Sequence, residues 1–88
     1  MRKPDEDIPR QRELIDELDR HIVGLLNERA EHALRIRRAK NEAGAQILDA
    51  ERESEIYDKI ALASDGPLSG DDLRRIYERV LEVMRTFG

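Results

Sequence analysis

The sequence predicts an all-α fold, one long N-terminal helix followed by two shorter ones, and three observations carry that prediction. From Gln11 to Ala43 there is no proline and a single glycine, Gly24, while Leu14, Leu18, Ile22, Leu25, Ala33 and Ile36 recur at the three-and-four spacing of one helix face. Asp49 and Ser69 are N-cap residue types, each standing ahead of a further periodic run. Gly44 and Asp65-Gly66-Pro67 punctuate the chain between these runs.

Taken in order, Met1 to Pro9 is charged, contains Pro4 and Pro9 and lacks periodicity, so residues 1–9 read as a flexible lead-in to a single helical domain over residues 10–88. The first helix is expected to begin near Pro9 or Arg10 and to close at Ala43-Gly44, where glycine suits the left-handed residue after a helix. At about 1.5 Å per residue it spans roughly 50 Å, more than a domain of this size is wide. Its own chain therefore cannot pack it along its whole length. Ala45 to Leu48 is a short connection, and Asp49 caps a second helix whose stripe Ile56, Ile60, Ala63 runs to about Ser64. Ser69 caps the third helix, with Asp72 three residues on as an aspartate form of the capping box. Its apolar face is Leu73, Ile76, Tyr77, Val80, Met84 and Phe87.

Composition narrows the classes. A chain of 88 residues forms one domain, and 39% hydrophobic with 41% charged residues lies at the polar end of the globular range. Without cysteine, a core this small is commonly completed by oligomerisation, so a dimer is the first expectation. The lack of cysteine fits a reducing compartment, and no apolar run approaches a signal peptide or a membrane span, so a cytoplasmic protein is expected. A net charge of −4, with bases interleaved among acids, argues against nucleic acid as a partner.

Two positions on the long stripe break the pattern. Arg29 falls between Leu25 and Ala33, and Lys40 falls four after Ile36. The two cations lie about 20° apart around the helix and about three turns apart along it. Counting back along the second helix from Ile60 and Ile56 reaches Glu53 and then Asp49, with Arg52 beside them. Each has an ordinary explanation: long side chains snorkel from a half-buried stripe, and acids in a first turn complement the helix dipole. Together, Arg29, Lys40 and Arg52 with one inward acid make a site for a small dianion that also carries a hydroxyl. His21 and His32 lie about three turns apart, too far to share a metal ion, so no metal site is expected. No glycine-rich phosphate loop and no nucleophile arrangement is present, which leaves binding, electrostatics or proton transfer by Glu53.

At these residues the chain resembles the all-helical (AroQ-type) chorismate mutases. The resemblance rests on Arg12 in Gln-Arg-Glu-Leu-Ile-Asp-Glu-Leu-Asp, Arg29 in Leu-Leu-Asn-Glu-Arg-Ala, Lys40 in Arg-Arg-Ala-Lys, and Asp49-Ala-Glu-Arg52-Glu53, without gaps from Arg12 through Glu53. It implies an intertwined homodimer with shared active sites that converts chorismate to prephenate by a Claisen rearrangement, with no cofactor and no covalent intermediate. By the same resemblance, Arg12 of the partner subunit and Arg29 hold carboxylates, and Lys40 bridges a carboxylate and the ether oxygen. Asp49, through its backbone, and Glu53 meet the ring hydroxyl, and Arg52 binds at the mouth. The third helix departs from the family: Met84 stands at a substrate-facing position usually held by Ser, and Gly88 where a Gln or Glu usually donates to the ether oxygen. Loss of one preorganised donor of that kind costs about 3–4 kcal/mol of barrier in acyl-transfer sites. Completion of the site by a partner protein or a further tail stays open, as does association with another enzyme of the pathway.

The alternatives are an isochorismate-pyruvate lyase of the same fold and a non-catalytic helical dimer that binds a small dianion or a partner enzyme. Arg12 precedes Lys40 by about 42 Å of helix, so it enters a common pocket only from a second subunit. Antiparallel pairing about a two-fold axis near Val23 achieves this, and Gly24 there lets two helices approach closely.

Overall fold

The computed structural model of the chain describes residues 4–88; Met1 to Lys3 of the expected lead-in lie outside the described residues. Three helices make up the fold, α1 (Pro4–Glu42), α2 (Ala50–Ala63) and α3 (Gly70–Thr86), with no strand among the described residues. The chain divides into two compact units, one through His32 and one from Ala33 to Gly88, and α1 contributes to both.

α1 begins at Pro4, ahead of the start expected at Pro9 or Arg10, and Pro9 lies inside it. Proline forfeits one helix hydrogen bond and crowds the carbonyl four residues back, which made it read as a boundary. Three acids in the first turn, Asp5, Glu6 and Asp7, favour the helix N-terminus electrostatically, and Gln11 donates to Asp7 Oδ2 at 3.4 Å. The other end closes where expected. The Ala45 amide donates to the Lys40 carbonyl at 2.8 Å and the Gly44 amide to the Asn41 carbonyl at 3.2 Å, with Gly44 at φ 69. This is a Schellman closure, and its left-handed residue requires glycine.

In the first unit the predicted stripe is largely uncovered. Leu14 is half-buried, but Leu18, Ile22 and Leu25 are exposed, Leu25 to 63%, and so are Ile15 and Val23. An added Cβ at Gly24 would meet nothing within 4 Å.

In the second unit α2 packs on α3. Leu81 and Met84 are buried, at 5% and 8% exposure, and Ile56, Tyr57, Ile60, Leu73, Tyr77 and Val80 are half-buried around them. Two expectations need correcting: Ile76 and Ala63 face solvent, while Leu81, not assigned to the apolar face of α3, is its most buried residue. Leu81 lies four after Tyr77, so the buried stripe runs Leu73, Tyr77, Leu81 beside Val80 and Met84. Asp49 caps α2 by accepting from the Arg52 amide at 3.0 Å. α3 opens with a full capping box, Ser69 Oγ accepting from the Asp72 amide at 3.1 Å and Asp72 Oδ2 accepting from the Ser69 amide at 3.0 Å. Between them Ser64 Oγ donates to the Leu68 carbonyl at 2.7 Å, and Arg74 lies 4.5 Å over the Tyr57 ring. Among the described residues no helix is long and apolar enough to cross a membrane.

Candidate active site

On α1 within the second unit, Lys40 is half-buried, although Ile36 four residues before it is exposed. Its ammonium donates to the Ile47 carbonyl at 3.5 Å, a long and therefore weak bond. An ammonium has three donors, so most of its capacity stays open to an anion. Arg29 belongs to the first unit; it too is half-buried where Leu25 is not, and it has no hydrogen bond or ion pair among the described residues. Arg12, in the same unit, is exposed.

α2 carries the acidic part of the predicted set on its first turn. The Asp49 side chain is spent on the N-cap, and its carbonyl accepts from the Glu53 amide at 3.0 Å. Asp49 itself is exposed, which corrects its placement on the inward stripe: the cap position turns it outward. Arg52 pairs with Glu55 at 3.3 Å across an exposed helix surface, with both side chains more than half exposed. Such a pair is worth well under about 1 kcal/mol and yields readily to a ligand. Glu53 does point inward, half-buried one turn before Ile56 and Tyr57.

Glu53 does not stand alone. Arg85 Nη1 of α3 donates to Glu53 Oε2, and the two side chains are only 32% and 22% exposed. Arg85 is held in turn from α1: Arg37 donates through Nη1 to the Arg85 carbonyl at 2.9 Å and through Nη2 to the Phe87 carbonyl at 2.6 Å, with its guanidinium 4.7 Å over the Phe87 ring. These carbonyls belong to the C-terminal end of α3, where helix geometry leaves acceptors unpaired and the dipole is negative. Sequence reasoning missed both arginines. The signal was there, since Arg37 falls four after Ala33 and Arg85 four after Leu81, each continuing a buried stripe. Met84 beside Arg85 is buried and apolar, so the polar contact at this turn of α3 comes from the next residue instead.

No group of three or more His, Asp or Glu side chains suited to a metal ion occurs among the described residues, and His21 and His32 are both exposed. Within the second unit, Lys40 keeps spare donors and Glu53 is an oriented carboxylate, groups suited to binding and charge stabilisation.

The comparisons with known proteins agree with one another. The chain is 46% identical over 55 residues to the bifunctional chorismate mutase/prephenate dehydratase of Aquifex aeolicus, an alignment covering 62% of this chain and 15% of that protein. It is 45% identical over 49 residues to the chorismate mutase of Methanocaldococcus jannaschii, covering 56% of this chain and 50% of the relative. The chain thus matches half or less of the length of these relatives. Two solved structures of the Thermus thermophilus chorismate mutase superpose with TM-scores of 0.85 and 0.83 at 26% identity, each over 88% of this chain and over 88% and 96% of theirs. The sequence model of chorismate mutase type II matches residues 11–87, and with that span the chain belongs to the chorismate mutase type II family.

Proposed function

We propose that the protein is a chorismate mutase that converts chorismate to prephenate. The observation that carries the reading is the inversion of burial on α1: Arg29 and Lys40 are half-buried while Leu25 and Ile36, on the same face, are exposed. Cations withdrawn from water on a face where Leu25 and Ile36 are exposed fit a site for an anion better than a folding core. The substrate is a flexible enol-pyruvyl ether with two carboxylates. Arg29 and Arg12 of a second subunit clamp the carboxylates, which holds the reacting carbons close and removes the entropy of the folded-up conformer. Lys40 meets a carboxylate and the ether oxygen, whose negative charge grows as the C–O bond breaks. Glu53 accepts from the ring hydroxyl, with the Asp49 backbone beside it and Arg52 at the mouth. The step is intramolecular, so it calls for no nucleophile and no cofactor.

The working form is a homodimer paired through the exposed stripe of α1, with Arg12 crossing into the partner's site. The uncovered leucines and isoleucines support this, since each one covered contributes about 1.5–3 kcal/mol. The product is passed to a further enzyme of aromatic amino-acid synthesis in the cytoplasm, and the bifunctional Aquifex relative supports physical association with one.

The test is to incubate purified protein with chorismate and with isochorismate in parallel, following substrate loss by absorbance and identifying products by NMR. Prephenate from chorismate is the expected result. Pyruvate from isochorismate alone would make the protein a lyase, and saturable binding without turnover would make it a binding module.

A further inference from the structure

We propose that Arg85 is a positioning residue for Glu53, and that Arg37 fixes the helix end that carries it; this rests on the reading of Glu53 as the acceptor for the substrate's ring hydroxyl. Among the described residues every other ion pair joins neighbours three or four apart on one helix, and its side chains are 36–77% exposed. Arg85–Glu53 is the pair that joins two helices, and it is the least exposed of them. A pair of that kind sets geometry, because both ends are fixed to different rigid elements.

The hydrogen-bond inventory gives the pair its direction. A glutamate has three side-chain torsions, and a free carboxylate at the edge of a pocket samples several of them. Arg85 takes Oε2, and Oε1 has no partner among the described residues. The carboxylate thus has one oxygen committed to Arg85 and one open as an acceptor. A ring hydroxyl needs such an acceptor, already in place when the substrate arrives.

Arg37 explains why Arg85 stays put. Residues in the last turn of a helix fray, and Arg85 is the penultimate residue of α3. The Arg37 guanidinium bridges the carbonyls of Arg85 and Phe87 and stacks on the Phe87 ring, so three contacts hold the frayed end to α1. The order of action is Arg37 on the α3 terminus, Arg85 on Glu53, and Glu53 on substrate. Neither arginine need touch the reacting atoms. A lysine at either place keeps the charge but loses the planar fork, so it restores only part of the function.

The deciding experiment is a double-mutant cycle on kcat and KM for chorismate, with melting temperatures recorded for each variant. Arg85→Ala is expected to lower kcat/KM roughly tenfold, within the range of coupling between residues in contact. In a Glu53→Gln background the same change should cost less than about twofold, because there is no longer a carboxylate to orient. Arg85→Lys should recover part of the loss, and Arg37→Ala should fall in the same direction with no added effect on top of Arg85→Ala. Equal losses with and without Glu53 would reduce Arg85 to a structural contact and overturn the proposal while leaving the activity intact. Full activity in Glu53→Gln would overturn it too, and a wild-type protein that does not turn over chorismate would overturn the functional reading and this role with it.

Discussion

From Pro4 to His32 the chain is a helix with most of its large apolar residues in water, whereas from Ala33 onward it satisfies most of its demands from within. In the second unit, Leu81 and Met84 are buried, both shorter helices carry N-caps, α1 closes on Gly44, and the Arg37–Arg85–Glu53 chain links three helices. In the first unit the described ion pair, Arg10–Glu13, is exposed at both ends, and Leu18, Ile22 and Leu25 lie open. An isolated helix without tertiary packing is marginal in water. The difference teaches that the two parts are built differently: the second packs its own apolar side chains, while the first leaves its stripe exposed. Properties of the second unit should be insensitive to protein concentration, and those of the first should follow mass action.

The largest effect is expected where charge meets substrate. Arg29→Ala and Lys40→Ala should each lower kcat/KM by about 10²–10³-fold, the scale of losing a preorganised donor, while far-ultraviolet circular dichroism and dimer mass stay nearly unchanged. The two residues sit in different units, so equal insensitivity of folding is a sharp demand. A loss of helicity that tracks the loss of activity would make either cation structural.

Next in size is a test of whether the first unit of one chain serves the second unit of another. Arg12→Ala and Arg29→Ala homodimers should both be inactive. Mixed under subunit exchange, about half the dimers are heterodimers with one intact site of two, so about a quarter of wild-type activity should return. No recovery after exchange has been verified by mass would confine each site to a single chain.

Much of this was legible in the sequence, and what was not has a physical reason in each case. The boundaries at Gly44, Asp49, Ser64 and Ser69 were readable because caps and turns are local, each decided by side-chain oxygens or a positive φ within a few residues. The start of α1 was not, because a proline was weighed as a breaker while the three acids before it went unweighed. On α3, Ile76 was assigned inward and Leu81 was passed over; apolar residues at Leu73, Ile76, Tyr77, Val80, Leu81, Val83 and Met84 span a wide arc, and the neighbour chooses which part of it is buried. Of the site, Glu53 was placed inward by periodicity alone. Arg37 and Arg85 were missed because arginines in a chain that is 41% charged read as solvated surface, and their partners are backbone carbonyls and a carboxylate far off in sequence.

A smaller effect sharpens the contrast at Gly24. In a lone helix Gly24→Ala should be favourable by about 0.8–1 kcal/mol, since alanine is the better helix former and the added methyl meets nothing in the single chain. If two α1 helices cross closely there, the methyl instead holds them apart. The expected outcome is a weaker dimer by sedimentation equilibrium together with higher helicity at low protein concentration. A dimer unchanged or tightened by the substitution would move the crossing point away from Gly24.

The smallest effect expected belongs to the capping box of α3, and it is a matter of pH. The Asp72 carboxylate is held below the ordinary aspartate value, first by the Ser69 amide and then by the Arg75 guanidinium at 2.5 Å. A carboxyl with a depressed folded pKa binds its proton more readily in the unfolded chain, so stability falls as protons are added. Its contribution is fully present above the unfolded value, near 3.8, and is lost as pH drops through the lower folded value. Asp72→Asn keeps an oxygen for the Ser69 amide but cannot ionise. The stability difference between wild type and Asp72→Asn, from urea unfolding, should therefore be constant above about pH 5 and shrink below about pH 4. Because Asp72, Ser69 and Arg75 all lie in one chain, that shrinkage should be the same at two protein concentrations, where the Gly24→Ala effect should not be. A concentration-dependent Asp72 effect would mean that the opening of α3 is itself part of an interface, and the division between a self-sufficient unit and a dependent one would have to be redrawn.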